Sequence, residues 1–268
     1  MVNLALFSAA LAVGALASPA KPKCDNIGVR RNWNSLNGDE KASFLGAIQC
    51  MMQKPSLSPN GVQQASRFED FVWTHQYPGY AIHWLPWHRW FVKAYHAELQ
   101  ECGWEGEMPY WAWEQDWQDL SASNIWNADP EIGFGTYGNF DYNNVYNSTT
   151  ITDGAFANHQ IQFPFPHMLT RNLPMTANYP WTGPGPYCQR GYNPENMKNL
   201  SSIATYKDFS VALESPDPIH NPNPFPGPHG AIHLALWGDM RTDGTNNSSP
   251  NDPLFYMHHS NVDRIWAS

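Results

Sequence analysis

The sequence has few charged residues and very few cysteines, and both shortages limit what the chain can be. Only 15% of its 268 residues are charged, and acidic residues outnumber Lys and Arg by 24 to 15, for a formal net charge of −9. No basic run interrupts this acidic background, so nucleic acid is not an expected partner. None of the four cysteines lies beside a group of histidines, so we do not expect them to bind metal.

Long apolar runs are also scarce, because the one such stretch lies at the N-terminus, over residues 4–17. It is too short to cross a bilayer, and it ends in small residues, as secretory signal peptides do. We therefore expect residues 1–20 to be a signal peptide. Residues 21–268 are then expected to form one secreted, extracellular domain that is not inserted in a membrane.

Secretion changes how the cysteines and some asparagines are interpreted. Four cysteines in a secreted chain predict two disulfides, with three possible pairings. Asn-X-Ser/Thr acceptor sequences, which predict a glycoprotein, begin at Asn147, Asn199, Asn246 and Asn247. We expect a monomer or a weak oligomer.

Aromatic residues, in contrast, are abundant, with 13 Trp, 12 Tyr and 13 Phe available to fill a large core. The 23 Pro and 19 Gly indicate long, turn-rich loops. Apolar periodicity and capping residues predict a mainly α fold with little sheet. The predicted helices cover residues 39–52, 62–77, 87–102, 228–236 and 252 to the end, with short helices near 121–126 and 202–213.

Six of the 11 histidines form two triplets, and these are the strongest functional signal in the chain. His229 and His233 are four residues apart, so on a helix they lie on one face. Three imidazoles without a thiolate suit copper, zinc, iron or nickel, and two such sets predict a paired metal centre. The triplets are His75, His83 and His88, and His229, His233 and His259.

The residues around the triplets narrow the choice of metal. Leu-Pro-Trp-His-Arg-Trp-Phe at residues 85–91 and Asn-Asp-Pro-Leu-Phe-Tyr-Met-His-His-Ser-Asn-Val-Asp-Arg-Ile-Trp at 251–266 resemble the two copper-binding signatures of the tyrosinase and catechol oxidase family. The resemblance covers about residues 24–268 and is closest to the short secreted fungal catechol oxidases. It implies a four-helix bundle that holds two copper ions, each by one triplet, with dioxygen bound between them.

Four further residues are candidates for the reaction. His258 and His259 are adjacent, so their side chains point about 100° apart on a helix; we expect only one to face the metals. The resemblance assigns that role to His259 and leaves His258 beside the ligands. We expect Asp263, one turn later, to orient a ligand imidazole through its free nitrogen. The resemblance also implies that Glu214 corresponds to an acidic residue that holds a water above the coppers.

Gly230, which follows His229, bears on the choice of substrate. In relatives this position influences whether monophenols are hydroxylated, and an Asn there helps to hold the water that deprotonates them. Glycine has no side chain for that task. We therefore expect oxidation of o-diphenols to o-quinones, with dioxygen reduced to water and a small phenol as the other substrate.

Two departures from the family keep further functions open. Only four residues separate His83 from His88, where the family has eight, and the chain stops at Ser268, where relatives continue the helix; we expect its C-terminal end to be incomplete. Both departures favour a copper-poor, inactive member of the family. The sequence is also compatible with a tyrosinase that hydroxylates monophenols, and with a dioxygen carrier of the haemocyanin kind, although no part of this short chain would supply a carrier's shielding domain.

Overall fold

The computed structural model describes residues 27–58, 65–76, 83–136, 149–171, 188–214, 227–241 and 247–268. Seven α-helices lie within these ranges, joined by long loops and short 3-10 turns, and the only sheets there are two antiparallel two-stranded pairs. The helices are α1 (Gly38–Gln53), α2 (Arg67–His75), α3 (Trp84–Glu101), α4 (Pro194–Ser201), α5 (Tyr206–Glu214), α6 (Pro228–Leu236) and α7 (Leu254–Ala267). The strand pairs are β1 (Thr149–Thr150) with β4 (Thr170–Arg171), and β2 (Gln160–Ile161) with β3 (His167–Met168). The mainly α prediction is confirmed.

Helix starts follow local capping chemistry. The side chain of Asn37 accepts from the backbone of Glu40, whose carboxylate accepts in return, and this capping box starts α1. Ser66 and Glu69 form the same arrangement at the start of α2. This box places the start of α2 at Arg67, five residues after the predicted start; residues 59–64 lie outside the described ranges.

Other predicted boundaries also shift. Helix α3 begins one turn early, with Pro86 in its first turn, where a missing N–H costs nothing. The helix predicted near 121–126 is only a 3-10 turn at Leu120–Ala122. The helix predicted near 202–213 is α5, and a further helix, α4, which is capped by Asn193, precedes it and was not predicted.

The centre of the bundle is an aromatic contact between α3 and α7. Tyr95 and Tyr256 stack with their ring centroids 3.5 Å apart and their planes within 5°. Phe68 and Phe71 of α2 meet both tyrosine rings edge-on, a favourable geometry for aromatic pairs. This core fixes α2, α3 and α7 against one another.

The cysteines match the prediction only in part. Cys50 of α1 and Cys102 at the end of α3 form a disulfide, whereas Cys188 is a free thiol whose pKa burial raises to about 12. Cys24 lies outside the described residues, as do the predicted signal peptide and the acceptors Asn147 and Asn246. Among the described helices, none has both the length and the apolar character of a membrane span.

One ion pair in the core fixes the start of α7. The guanidinium of Arg171 donates to both carboxylate oxygens of Asp252, at 2.7 and 2.9 Å, and to the carbonyl of Phe134 at 2.7 Å. Both charged side chains are completely inaccessible to solvent. Asp252 also accepts from the backbone N–H of Leu254, the first residue of α7. The pair therefore joins strand β4 to the helix that carries His258 and His259.

We predict that Arg171→Met lowers the free energy of unfolding by roughly 3–5 kcal/mol, because it leaves the Asp252 carboxylate buried without a counter-charge. Urea denaturation of the purified protein would measure the change. Lys54→Met is the matched control, since Lys54 pairs with a largely exposed Glu101 and its loss should cost about 1 kcal/mol or less. Equal losses in the two variants would contradict the prediction.

Candidate metal centre

Six histidines from four helices meet in the interior of the bundle. They come from the C-terminal end of α2, the start of α3, the whole of α6 and the middle of α7. Each is more than nine-tenths buried, which is rare for this residue type unless its nitrogens are satisfied. The six are His75, His88, His229, His233, His258 and His259.

His75 and His88 form one side of this cluster. The Nδ1–H of His75 donates to the carbonyl of Asn247 at 2.6 Å, and the Nδ1–H of His88 donates to the carbonyl of Trp84 at 2.7 Å. Each neutral ring therefore turns a bare Nε2 lone pair toward the other, and the two Nε2 atoms are 3.4 Å apart. Desolvation by burial lowers the pKa of His75 to about 4 and that of His88 well below its usual value, so both rings are neutral near pH 7.

His229 and His233 form the second pair, on one face of α6. Their Nε2 atoms are 3.2 Å apart, and the Nδ1–H of His233 donates to the carbonyl of Met240 at 2.8 Å. That carbonyl belongs to a short turn after α6 which is itself fixed, because the carboxylate of Asp239 accepts from the backbone and hydroxyl of Thr170. A backbone carbonyl thus sets the orientation of one ligand imidazole, a usual arrangement around protein metal ions.

Helix α7 adds two more imidazoles, those of His258 and His259, of which we expected only His259 to bind metal. One ring nitrogen from each of His229, His233, His258 and His259 lies within 4.8 Å of the others. Two adjacent side chains point about 100° apart on a helix, and both can border a site that lies between their two directions. His258 and His259 are both in that position, and burial lowers the pKa of each well below its usual value.

The residues present fit a metal ion. Both nitrogens of His258, both of His259 and Nδ1 of His229 are buried and have no hydrogen-bond partner among the described residues. Such nitrogens are costly unless something satisfies them. Two nitrogens bound tetrahedrally at 2.0–2.1 Å from one ion lie about 3.3 Å apart, close to the spacing of both Nε2 pairs.

The two sides of the cluster are in direct contact. The rings of His88 and His259 stack with centroids 4.1 Å apart and planes within 8°. Phe255 packs against His75, His88, His233 and His259. The geometry is therefore one continuous buried histidine cluster with an aromatic wall, as a pair of neighbouring metal ions needs.

His83, in contrast, does not reach the cluster in this structure. It is the exposed N-cap residue of α3, and its carbonyl accepts from the backbone of Trp87. Five helical positions separate it from His88, so the two side chains point about 140° apart. The preceding residues 77–82 lie outside the described ranges.

Asp263 also differs from expectation. Its carboxylate accepts from Arg30 at 2.7 Å and from Arg89 at 2.5 Å, and no hydrogen bond to an imidazole is found among the described residues. Because Arg89 directly follows His88, this carboxylate holds α3, α7 and the N-terminal segment together. The expected bond from Asp263 to a ligand imidazole is not found among the described residues, since the arginines are stronger partners than a neutral imidazole.

Glu214 and Gly230 lie on two helices, α5 and α6, that pack against each other. Glu214 is the last residue of α5, which packs on α6. The two helices meet closely at Gly227, where a Cβ would lie 2.2 Å from the carbonyl oxygen of Ala212. Glu214 is exposed, and desolvation raises its pKa. Gly230 is half-buried in the first turn of α6, next to His229.

Some contributors to the site carried no recognisable sequence signal. The carbonyls of Asn247, Trp84 and Met240 act through the backbone, so residue type does not reveal them. Trp84 is different, because its ring lies 4.5 Å from that of His229 and its Nε1–H donates to Ser210 at 2.6 Å. The Trp-Leu-Pro-Trp run at residues 84–87 was the sequence signal that could have identified Trp84 as part of the site.

Comparison with known proteins agrees with this geometry. The family model described as the common central domain of tyrosinase matches residues 65–268. The chain belongs to the tyrosinase family. The cofactor of this family is a copper pair, and the clustered histidines of the chain fit it.

Two relatives of this tyrosinase-family chain are fungal proteins. The tyrosinase-like protein phomQ1 of Diaporthe leptostromiformis is 34% identical over 269 residues, covering 96% of this chain and 65% of that protein. Tyrosinase P of Aspergillus terreus is 31% identical over 294 residues, covering 99% of this chain and 81% of that protein. The chain thus spans slightly less than two thirds of phomQ1.

Solved structures show the same fold. A polyphenol oxidase from Thermothelomyces thermophila superposes with a TM-score of 0.72 at 27% identity, over 91% of this chain and 70% of that one. A functional unit of octopus hemocyanin superposes with a TM-score of 0.51 at 20% identity, over 90% of this chain and 52% of that one. The second likeness concerns the fold alone.

We predict that inserting Gly-Ser-Gly-Ser between His83 and Trp84 raises the copper content of this tyrosinase-family protein. The insertion separates His83 from the helix start, so its imidazole can turn inward toward His75 and His88. Elemental analysis after copper loading and removal of free metal would measure the change. The control places the same insertion after Glu105, in an exposed loop; equal copper contents in all three proteins would show that His83 does not limit the site.

Proposed function

We propose that this chain is a secreted copper oxidase that converts o-diphenols to o-quinones and reduces dioxygen to water. Two catechols would supply the four electrons and four protons that turn one dioxygen into two waters. The observation that carries the proposal is the buried cluster of neutral imidazoles in a tyrosinase fold, with Gly230 beside His229. The copper pair, when bound, would supply the electron exchange with dioxygen.

The protein's first task would be to present imidazole lone pairs in fixed directions. His75, His88 and His233 do this with an Nδ1–H held by a backbone carbonyl, which leaves Nε2 for the metal. Desolvation keeps the rings neutral, and only the neutral ring can bind a metal ion. The ligands would therefore need little reorganisation on copper binding.

The second task would be to exclude water and admit a flat ring. Trp87 and Phe91 stack at 4.6 Å beside His75 and His88. Trp84 covers His229, and Phe255 contacts rings of both pairs. These aromatic faces suit a phenol ring and leave polar recognition to its hydroxyl groups.

The third task would be removal of the hydroxyl proton. A phenol has a pKa near 10, like tyrosine, so near pH 7 it needs a base at the site. We assign that role to the Glu214 carboxylate, acting through a water, because α5 ends beside the start of α6. Gly230 adds no side chain there, which favours catechols, whose two oxygens bind more readily than a single phenol oxygen.

Two observations support secretion, namely the apolar run at residues 4–17 and the Cys50–Cys102 disulfide, which is typical of oxidising compartments.

A second candidate function is a copper-poor, inactive member of the family. The exposed position of His83 favours it. Copper content and catechol turnover separate the two candidates.

We predict that the protein oxidises catechols roughly a hundredfold faster than the matching monophenols. Gly230 provides no second partner for the water that must deprotonate a monophenol, and a fully positioned base contributes about 10²–10⁴ to such a step. Gly230→Asn should raise the monophenol rate, because an amide there can hold a water. Oxygen uptake on matched catechol and phenol pairs tests both statements. Gly46→Asn is the control, as Gly46 lies on an exposed face of α1 with open space around it. Comparable rates on both substrate classes in the unmutated protein would make tyrosinase the better description.

We further predict that Glu214→Gln lowers kcat for catechol by about 10² or more, the contribution of a general base, while copper content stays the same. Steady-state oxygen uptake and elemental analysis on the same sample would measure both. Glu195→Gln, on the exposed surface of α4, is the matched control and should have no effect. A kcat for Glu214→Gln equal to that of the control would remove Glu214 from the mechanism.

A further inference from the structure

His229 differs from three other ligand candidates in what fixes the direction of its ring. His75, His88 and His233 each donate an Nδ1–H to a backbone carbonyl. Nδ1 of His229 is buried and has no hydrogen-bond partner among the described residues. Rotation of an imidazole about its last side-chain bond meets only a broad torsional minimum. A ring without such a hydrogen bond therefore needs another restraint to direct its lone pair at a metal ion.

The nearest ring to His229 within the described part of the chain is the indole of Trp84. The two ring centroids are 4.5 Å apart, and the planes are tilted by 37°. Both residues are buried, with Trp84 only 4% exposed. Aromatic rings in contact at this distance attract each other, and a densely packed interior leaves little room for either ring to turn. The indole therefore lies where it can hold the imidazole in one orientation.

Trp84 is itself held in place. Its Nε1–H donates to the hydroxyl of Ser210 at 2.6 Å, and Ser210 belongs to α5, which packs on α6. The indole is thus anchored at both ends, by the backbone of α3 and by a side chain of α5. The ring of His258 also lies nearly parallel to that of His229, but it is farther away, at 5.3 Å, and it makes no hydrogen bond among the described residues. Trp84 is therefore the better restrained of the two neighbours.

The backbone of Trp84 contributes to the other side of the cluster. Its carbonyl accepts the Nδ1–H of His88 at 2.7 Å. A substitution of the side chain keeps this carbonyl, so mutation can separate the two contributions. Loss of the indole changes the surroundings of His229 and leaves the hydrogen bond of His88 in place.

We propose that Trp84 is a positioning residue for the copper ligand His229. Its indole, anchored on Ser210, takes the place of the Nδ1 hydrogen bond that His75, His88 and His233 make. The proposal rests on copper binding by the histidine cluster, which the proposed function also requires, and does not depend on catechol oxidation. It gives α5, which supplies none of the six clustered histidines, a part in shaping the site.

The first test observes the ring of His229 in the metal-free protein, by NMR with isotope-labelled histidine. The signals of His229 are assigned by their loss in His229→Gln. The unmutated protein should give one sharp set of these signals, and Trp84→Leu should broaden or split the set through exchange between ring orientations. The signals of His233, which is held by the carbonyl of Met240, should stay sharp in both proteins. This readout needs neither copper nor activity.

The second test measures copper affinity in a His88→Gln background, which weakens the His75–His88 side so that tightly bound copper reports the His229 side. Trp84→Leu should weaken this binding about 10–100-fold, the usual effect of losing a group that orients a ligand. Trp84→Phe keeps an aromatic face and should restore most of the affinity. Calorimetric titration with a divalent copper salt would measure these values.

Trp104→Leu is the matched control for the loss of a buried indole. Trp104 packs on Phe44 of α1 and donates to the carbonyl of Glu107. Its loss should lower stability without broadening the His229 signals or weakening copper binding. Should Trp84→Leu fail to fold, Ser210→Ala removes the anchor of the indole with a smaller change. That variant should broaden the His229 signals and weaken copper binding severalfold.

The outcomes distinguish this proposal from the proposed function. Sharp His229 signals and unchanged affinity in Trp84→Leu and Ser210→Ala would overturn the positioning role. Equal losses of affinity in Trp84→Leu and Trp104→Leu would overturn it too, because stability alone would then explain them, and so would a Trp84→Phe variant as weak as Trp84→Leu. A protein that binds no copper would overturn both proposals. The expected changes at His229, in a protein that binds copper without turning over catechol, would support the role of Trp84 and overturn only the oxidase function.

Discussion

The burial of six neutral imidazoles in an aromatic interior is the constraint on which the rest of this structure depends. Histidine nitrogens removed from water need partners, and here three rings have a backbone carbonyl as partner while His258 and His259 have no partner within the described residues. The fold must therefore bring four helices together at one place. A bound copper ion would supply a partner for buried imidazole nitrogens, so metal binding and folding would stabilise each other.

The supports around the cluster are ionic and lie one layer outside it. Arg171 and Asp252 fix the start of α7, and Asp263 holds α3 and the N-terminal segment against the same helix through Arg89 and Arg30. The charged side chains lie outside the cluster, and the imidazoles inside it are neutral. A cation that binds among the imidazoles therefore meets no positively charged ring.

Much of this arrangement could be predicted from the sequence, because the signals were local. The spacing of His229 and His233 places both on one face of α6, and the Asn37 cap sets the start of α1 within one residue of the prediction. The errors were of other kinds. The position of His83 depends on the length of the connection between two helices. Whether the ring of His258 borders the site depends on where the site lies relative to the two directions in which adjacent side chains leave α7. The partners of Asp263 are 174 and 233 residues away in sequence, a distance at which local patterns carry no information. Every residue has a backbone carbonyl, so the residue type does not show which carbonyls accept a hydrogen bond from an imidazole.

The disulfide between Cys50 and Cys102 has a topological consequence for the site. It closes a covalent ring of the chain that contains the whole of α2 and the whole of α3. His75 and His88 both lie inside this ring. A single proteolytic cut anywhere between the two cysteines would therefore leave both fragments attached, and neither imidazole could leave with a released peptide. The linkage therefore protects the His75–His88 side of the cluster from loss even after the backbone is cleaved.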